Sequence, residues 1–399
     1  MSKQRRCGIG YARAVRGVCG ALVLLSSWGC GVTIDAGGGS GTTDGNRDMA
    51  LSSPFGKTSG EPNGSFDDPI VAVFDASGVA RLQGTVSVPG DLDVFYLGRL
   101  DAGDQIVVDV ATSGSVLDSS VALFDELGRL LYANDDRGGA PNRFLDSLID
   151  FTVRRASDEY FLVVTSASFA DSGDRTGSYI VDITVTSGFD VPPPTPQILL
   201  LNFEGGRITV PELGPITLAP FDAGSIRDPG SLFAPYDGQT QVLKDSIRQT
   251  VEQNFERFRV EIITSDDPLP VGTEYSTVHF GGFHLMAFGE AQAVDIYNAD
   301  FCDDAIIYAE SFVPRVFSTL PSTQALGVAI GNVASHEAGH LLGLNHVNDD
   351  QALMDDRSSA DVFLLDQEFK NSPLSGDIMV IGTQDAVLLL DETVGPFPF

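Results

Sequence analysis

The chain has 399 residues, too many for one ordinary core, so two domains are expected. Hydrophobic residues make up 43% and aromatic residues 9%, which excludes a disordered protein. A formal net charge of −31 repels nucleic acid and anionic membrane, and so excludes both as partners of the folded surface.

The first twenty residues reverse that charge: Lys3, Arg5, Arg6, Arg13 and Arg16 stand there without an acid. An apolar run follows, Val18 to Trp28, too short to span a bilayer, and then Gly29-Cys30. Residues 1–30 therefore read as an export signal. Residues 31–65, rich in Gly, Ser, Thr, Asn and Asp, read as a flexible tether. A basic region, an apolar run and a closing cysteine resemble a bacterial lipoprotein signal. That resemblance implies acylation of Cys30 and anchoring to the envelope; a plain cleaved signal is the alternative. Either way the mature protein is expected to be exported, extracellular or at the cell surface. Cys7, Cys19 and Cys30 belong to this segment, so Cys302 is expected to stand alone as a small buried residue.

From 66 to 188 short apolar alternations recur between turn residues. They fall at Val71–Phe74, Asp93–Leu97, Gln105–Val110, Ser120–Phe124, Tyr160–Val164 and Tyr179–Val185. Period two with β-branched and aromatic residues predicts strands, and many short strands predict a sandwich. Asp91–Phe95, Ala102–Asp104, Val121–Gly128, Asn134–Asp136 and Glu159–Val164 resemble the bacterial pre-peptidase C-terminal (PPC) domain. The resemblance implies an all-β jelly-roll sandwich attached to a secreted peptidase. Here it precedes the rest of the chain, so a role as propeptide or as substrate anchor is open. Asp135 and Asp136 could ligate calcium, a hard cation that takes carboxylate oxygens, or form a simple acidic turn.

Val191-Pro-Pro-Pro-Thr-Pro196 predicts a stiff linker over 189–196. Beyond it the pattern changes. Gln197–Phe203 reads as a buried strand, and Gln241–Phe258 spaces its apolar residues as a helix. Phe258–Ile263, Ser276–Phe280 and Ala305–Tyr308 read as strands. Thr323–Leu344 predicts a long helix and Asp385–Glu392 a short one. This order predicts an α/β domain over 197–399. His279 and His284 flank Phe280-Gly-Gly-Phe283 and read as surface or core histidines rather than a second zinc site. Glu290, Asp295, Asp300, Asp303 and Asp304 are carboxylates that could hold calcium near the sheet edge, without a recognised ligand spacing.

Three of the five histidines lie between His336 and His346. On a helix His336 and His340, four residues apart, face one side, so both imidazoles can grip one zinc ion. Glu337 can lean over the same ion without ligating it. Gly343 can take positive φ, which lets the helix stop and the chain turn, so that His346 swings back as a third ligand. Three histidines leave the fourth position to water, the mark of a catalytic rather than a structural zinc. Glu337 is placed to take that water's proton.

The string H-E-x-x-H-x-x-G-x-x-H with Met354 downstream resembles the metzincin zinc peptidases. The resemblance implies a twisted mixed sheet with an active-site helix. It makes His336, His340 and His346 the ligands, Glu337 the general base, and Met354 the residue of a tight turn beneath them. Gly382–Leu390 resembles the closing helix of the matrixin branch. Val347 after the third histidine, and the lack of a tyrosine after Met354, leave the branch open.

The expected protein is thus multidomain, an all-β jelly-roll sandwich followed by an α/β (α+β) metzincin-like zincin domain. Its expected function is zinc metalloendopeptidase, with catalytic Zn2+, structural Ca2+ as a further ion, and a protein or peptide substrate. It is expected to be a monomer that meets the membrane only through a lipid anchor. Two rivals are a non-catalytic surface binding protein with an idle zincin scaffold, and a zinc amidase acting on cell wall.

Overall fold

The computed structural model describes residues 59–112, 114–137, 146–170, 173–210 and 214–398. The signal segment with Cys30, and the tether up to residue 58, lie outside them. Among the described residues no helix is long and apolar enough to cross a membrane. Cys302 is disulfide-bonded, which corrects the expectation of a lone cysteine; that expectation assigned every other cysteine to the signal segment.

The alternating stretches of the first half become strands β1 (Ile70–Val71), β2 (Val79–Val86), β3 (Asp93–Leu100), β4 (Gln105–Ala111), β5 (Ser119–Asp125), β6 (Leu130–Asn134), β7 (Leu148–Thr152), β8 (Ser157–Ser166) and β9 (Gly177–Thr186). They form two sheets, ordered β1-β3-β8-β5-β6 and β2-β9-β4-β7. Residues such as Phe95, Val108, Leu123, Leu162 and Ile183 fill the space between the sheets. Strand β2 escaped the sequence reading because its inward row, Ala80, Leu82, Gly84 and Val86, is partly small, while Arg81, Gln83 and Thr85 point outward. Gly84 is bare because the Tyr179 ring occupies the place of a side chain.

Strand β5 is buried along its whole length, and β8 nearly so. Their alternate residues Ala122, Phe124, Phe161 and Val163 face away from the sandwich interior, onto Leu374 and Met379 of the second half. A strand covered on both faces reads as an unbroken apolar run, as both do.

Asp135, at the end of β6, has a buried Oδ1 without a partner, and burial followed by the neighbouring Asp136 pushes its carboxyl up to about 7. The fold then keeps a proton that the unfolded chain releases above 3.8, so stability falls as pH rises from 3.8 to 7. Asp135→Asn is expected to remove that fall and stabilise the protein at about pH 8 by about 1–3 kcal/mol, with no gain near pH 4. Thermal melts of the two proteins at both pH values check it.

The second half contains β10 (Gln197–Asn202), β11 (Gly206–Val210), β12 (Gly214–Leu218), α1 (Thr240–Asn254), β13 (Val260–Thr264), β14 (Ser276–Phe280), β15 (Gly289–Ala291), β16 (Asp304–Ile307), α2 (Thr323–Leu341), β17 (Asn371–Pro373), β18 (Thr383–Asp385) and α3 (Ala386–Thr393). Its main sheet is ordered β13-β10-β14-β16-β15, parallel except for the antiparallel edge strand β15. Helix α1 buries Leu243, Ile247 and Val251, one turn apart. It ends four residues before Phe258, because Phe255 and Phe258 turn instead onto Phe369, with ring centroids 5.1 and 6.1 Å away. Helix α2 starts at the cap Ser322, whose Oγ accepts the Ala325 amide at 3.2 Å. It lies close on α1 because Gly327 and Gly331 offer no side chain to Ser246 and Thr250.

The proline-rich segment is laid against both halves. Phe189 N donates to Gly103 O at 2.9 Å, Arg154 Nη1 to Pro192 O at 3.1 Å, and Thr195 N to Thr393 O at 2.9 Å.

Candidate metal centre

Helix α2 carries His336, Glu337 and His340 into the interior, and the chain past its end returns His346 to them. These side chains are almost closed to solvent, with exposures of 1%, 0%, 1% and 6% in chain order. The return depends on the helix end. Gly343 N donates to His340 O at 3.0 Å and Leu344 N to Gly339 O at 2.9 Å, the paired bonds of a glycine-terminated helix. Gly343 has φ of 92°, and a Cβ there would lie 2.7 Å from Tyr297 N and 2.9 Å from Asp295 O. Gly343→Ala is therefore expected to destabilise the fold by at least about 2 kcal/mol, as a thermal melt would show.

The three imidazole Nε2 atoms converge, each 3.1 Å from the other two. His336 Nδ1 faces Leu353 O at 2.7 Å, and His340 Nδ1 faces Leu344 O at 2.7 Å. A carbonyl only accepts, so in the neutral rings both Nδ1 atoms carry the proton and both Nε2 lone pairs point inward. Burial first, then the adjacent histidine, pulls His336 and His340 down to about 3 and His346 well below the ordinary range. All three rings are neutral at physiological pH. Inward lone pairs this close repel one another unless a cation lies between them. A tetrahedral zinc with bonds of 2.0–2.1 Å needs ligand nitrogens about 3.3–3.4 Å apart, so the trio fits that ion.

Met354 lies against the same helix. A Cβ on Gly339 would fall 2.5 Å from the Met354 Sδ, so the second free position of the H-E-x-x-H string must be bare. The turn around Met354 is tied back by Val347 N to Met354 O at 2.9 Å and by Asp356 N to Val347 O at 3.2 Å. Its neighbour Leu353 supplies the carbonyl that orients His336.

Both carboxylate oxygens of Glu337 are buried without a hydrogen-bond partner. Burial, then Glu290, holds its pKa well above the usual range. The Ala291 amide is near enough to oppose that shift, but it does not reach hydrogen-bond geometry. Edge strand β15 covers the carboxyl, and a Cβ on Gly289 would lie 2.5 Å from its Oε1. Next to it Glu290 Oε2 accepts the Tyr308 hydroxyl at 2.9 Å. Sequence reading missed β15 because three residues, one of them a glutamate, make no pattern. Gly339 was in plain view inside the motif, whereas nothing local marks Gly289.

His279 and His284 stay apart from this centre. His279 contacts Asn202 Nδ2 at 3.0 Å and Asp304 at 3.4 Å, and His284 stacks on Tyr308. Among the described residues, His336, His340 and His346 are the one set of three or more His, Cys, Asp or Glu donors close enough to share an ion. Asp135 with Asp136, and the acids Glu290, Asp295, Asp300, Asp303 and Asp304, are not gathered into such a set, so the calcium expectation finds no carboxylate cage.

Residues 235–368 match the family model of the matrixins, Peptidase_M10. The matrixin match runs from just before α1, through all three histidines, past Met354. No curated protein matches the chain. Among solved structures, the pre-peptidase C-terminal domain of a collagenase from Bacillus anthracis is 14% identical, covering 32% of this chain and 100% of that one, with a TM-score of 0.21. An archaemetzincin from Methanopyrus kandleri is 15% identical, covering 45% and 88%, with a TM-score of 0.24. A periplasmic inhibitor of g-type lysozyme, PliG, from Aeromonas hydrophila is 15% identical, covering 30% and 96%, with a TM-score of 0.20. The matrixin match together with the buried histidine trio supports a zinc metallopeptidase in general terms.

Proposed function

We propose that this protein is an exported zinc metalloendopeptidase. One observation carries the reading: the nitrogens of three buried imidazoles converge to within reach of a single ion, on and just past the helix that also buries Glu337. His336, His340 and His346 would hold the ion. When bound, zinc supplies Lewis acidity to a peptide carbonyl and lowers the pKa of water to about 7. Glu337 accepts the attacking water's proton and passes it to the leaving amine. The carbonyls of Leu353 and Leu344 keep two ligand rings in the tautomer that points Nε2 inward.

Glu337 speaks against the rival reading of a binding protein, because a site that only binds has no need of a base. A cell-wall amidase shares the chemistry and differs in substrate. The full chain incubated with casein and, separately, with peptidoglycan decides between them. Casein cleavage that stops with a chelator and returns with added zinc is the expected result; turnover of peptidoglycan alone would favour the amidase. The basic and apolar N-terminal segment supports export, and the mass of the mature N-terminus tests whether Cys30 is acylated.

A further inference from the structure

We propose that the β-sandwich is a positioning element of the metal centre: it holds His346 in place through the strap of residues 371–385. This rests on reading the three histidines as metal ligands, but not on peptidase activity.

On its outer side the strap is seated on the sandwich. Leu374 and Met379 pack against Val94, Ala122, Phe124 and Phe161. Thr383 N donates to Gly128 O at 2.9 Å, and Thr383 bridges Arg129 as a short parallel pairing. Gly382, with φ of 86°, has no room for a side chain: the Phe124 ring lies where its Cβ would be, and Gly128 O is 3.0 Å from that point.

On its inner side the same strap grips the loop that carries the third histidine. Ser375 N donates to His346 O at 3.1 Å, and Asn348 N to Pro373 O at 2.9 Å. Gln384, fully buried, clamps the residue before His346 from both sides: Asn345 N donates to its Oε1 at 2.7 Å, and its Nε2 donates to Asn345 O at 2.7 Å. Neither His336 nor His340 needs this help, since α2 sets their spacing. His346 lies beyond the helix end, and its place is set by whatever holds its loop. A second contact runs to the helix end itself: Phe151 of β7 stacks on Tyr297 with centroids 5.4 Å apart, and Tyr297 N is the atom that Gly343 faces. The sandwich thus touches the two segments that steer the chain from α2 to His346.

The test uses the full zinc-loaded chain with Gly382→Val or Phe124→Ala, both remote from the ligands. A chelator is expected to strip zinc from each variant roughly ten- to hundredfold faster than from the wild type. The cobalt-substituted variants are expected to show a shifted visible band, and Phe124→Leu to restore release toward the wild-type rate. Coupling is reciprocal, so removing metal from the wild type should speed amide exchange across 374–385 and at Gly128–Leu130, but not in β2 and β9. Unchanged zinc release and cobalt spectra in folded variants would overturn the proposal. If the variants do not fold, exchange that is unaffected by metal, or that rises equally in β2 and β9, overturns it instead. A protein that holds zinc yet cleaves nothing sinks the peptidase reading and leaves these readouts standing.

Discussion

Glu337→Gln is expected to lower peptide hydrolysis by about 10²–10⁴-fold while zinc content stays that of the wild type. The amide keeps the shape of the acid, so it fits the same space under Gly289. It cannot accept the water's proton. The substitution removes a buried ionisable group without changing its volume, so the packing around it is kept. The melting temperature is therefore expected to stay close to that of the wild type. This separates loss of a base from loss of structure: assays of casein cleavage, metal content and melting on one preparation read all three. Activity within tenfold of the wild type would remove Glu337 from the chemistry.

Stripping the metal is expected to be the other large effect. An ion that binds only the folded chain stabilises it by about 4 kcal/mol at a thousandfold excess over its dissociation constant. Without it, converging lone pairs remain in the interior. Acid acts in the same direction. His336 and His340 titrate at about 3 in the fold against 6.5 in the unfolded chain, so the unfolded state binds more protons between those values. The stability tied to these neutral rings is complete above 6.5 and is lost as pH falls toward 3. Zinc also requires neutral rings, so its hold weakens over the same range. Melts with and without chelator, from about pH 8 down to about pH 5, should show a wide gap at the top that narrows in acid. Coincident curves throughout would mean that the trio binds no ion.

Several features are legible in the sequence alone, because they are local. Two histidines four apart on a helix share a face whatever surrounds them. The glycine at 343 marks the helix end because only a residue free at positive φ lets the chain turn there. The short apolar stretches of β5 and β8 mark them as strands, though period two says nothing of the cover on their second face. Helix α1 stops at Asn254, short of the expected Phe258, since Phe255 and Phe258 keep the apolar pattern going while packing on Phe369, a partner more than a hundred residues away.

What the sequence determined by itself is the helix that bears His336, Glu337 and His340, and the glycine at 343 that lets the chain bring His346 back, all encoded in spacings of a few residues. Only the tertiary structure decided what those spacings cannot encode. It laid Gly289 over Glu337, set the Met354 sulfur against Gly339, and covered the second face of β5 and β8 with the strap that grips His346. Such contacts join distant segments through close packing, and close packing depends on every neighbouring shape at once rather than on any local pattern.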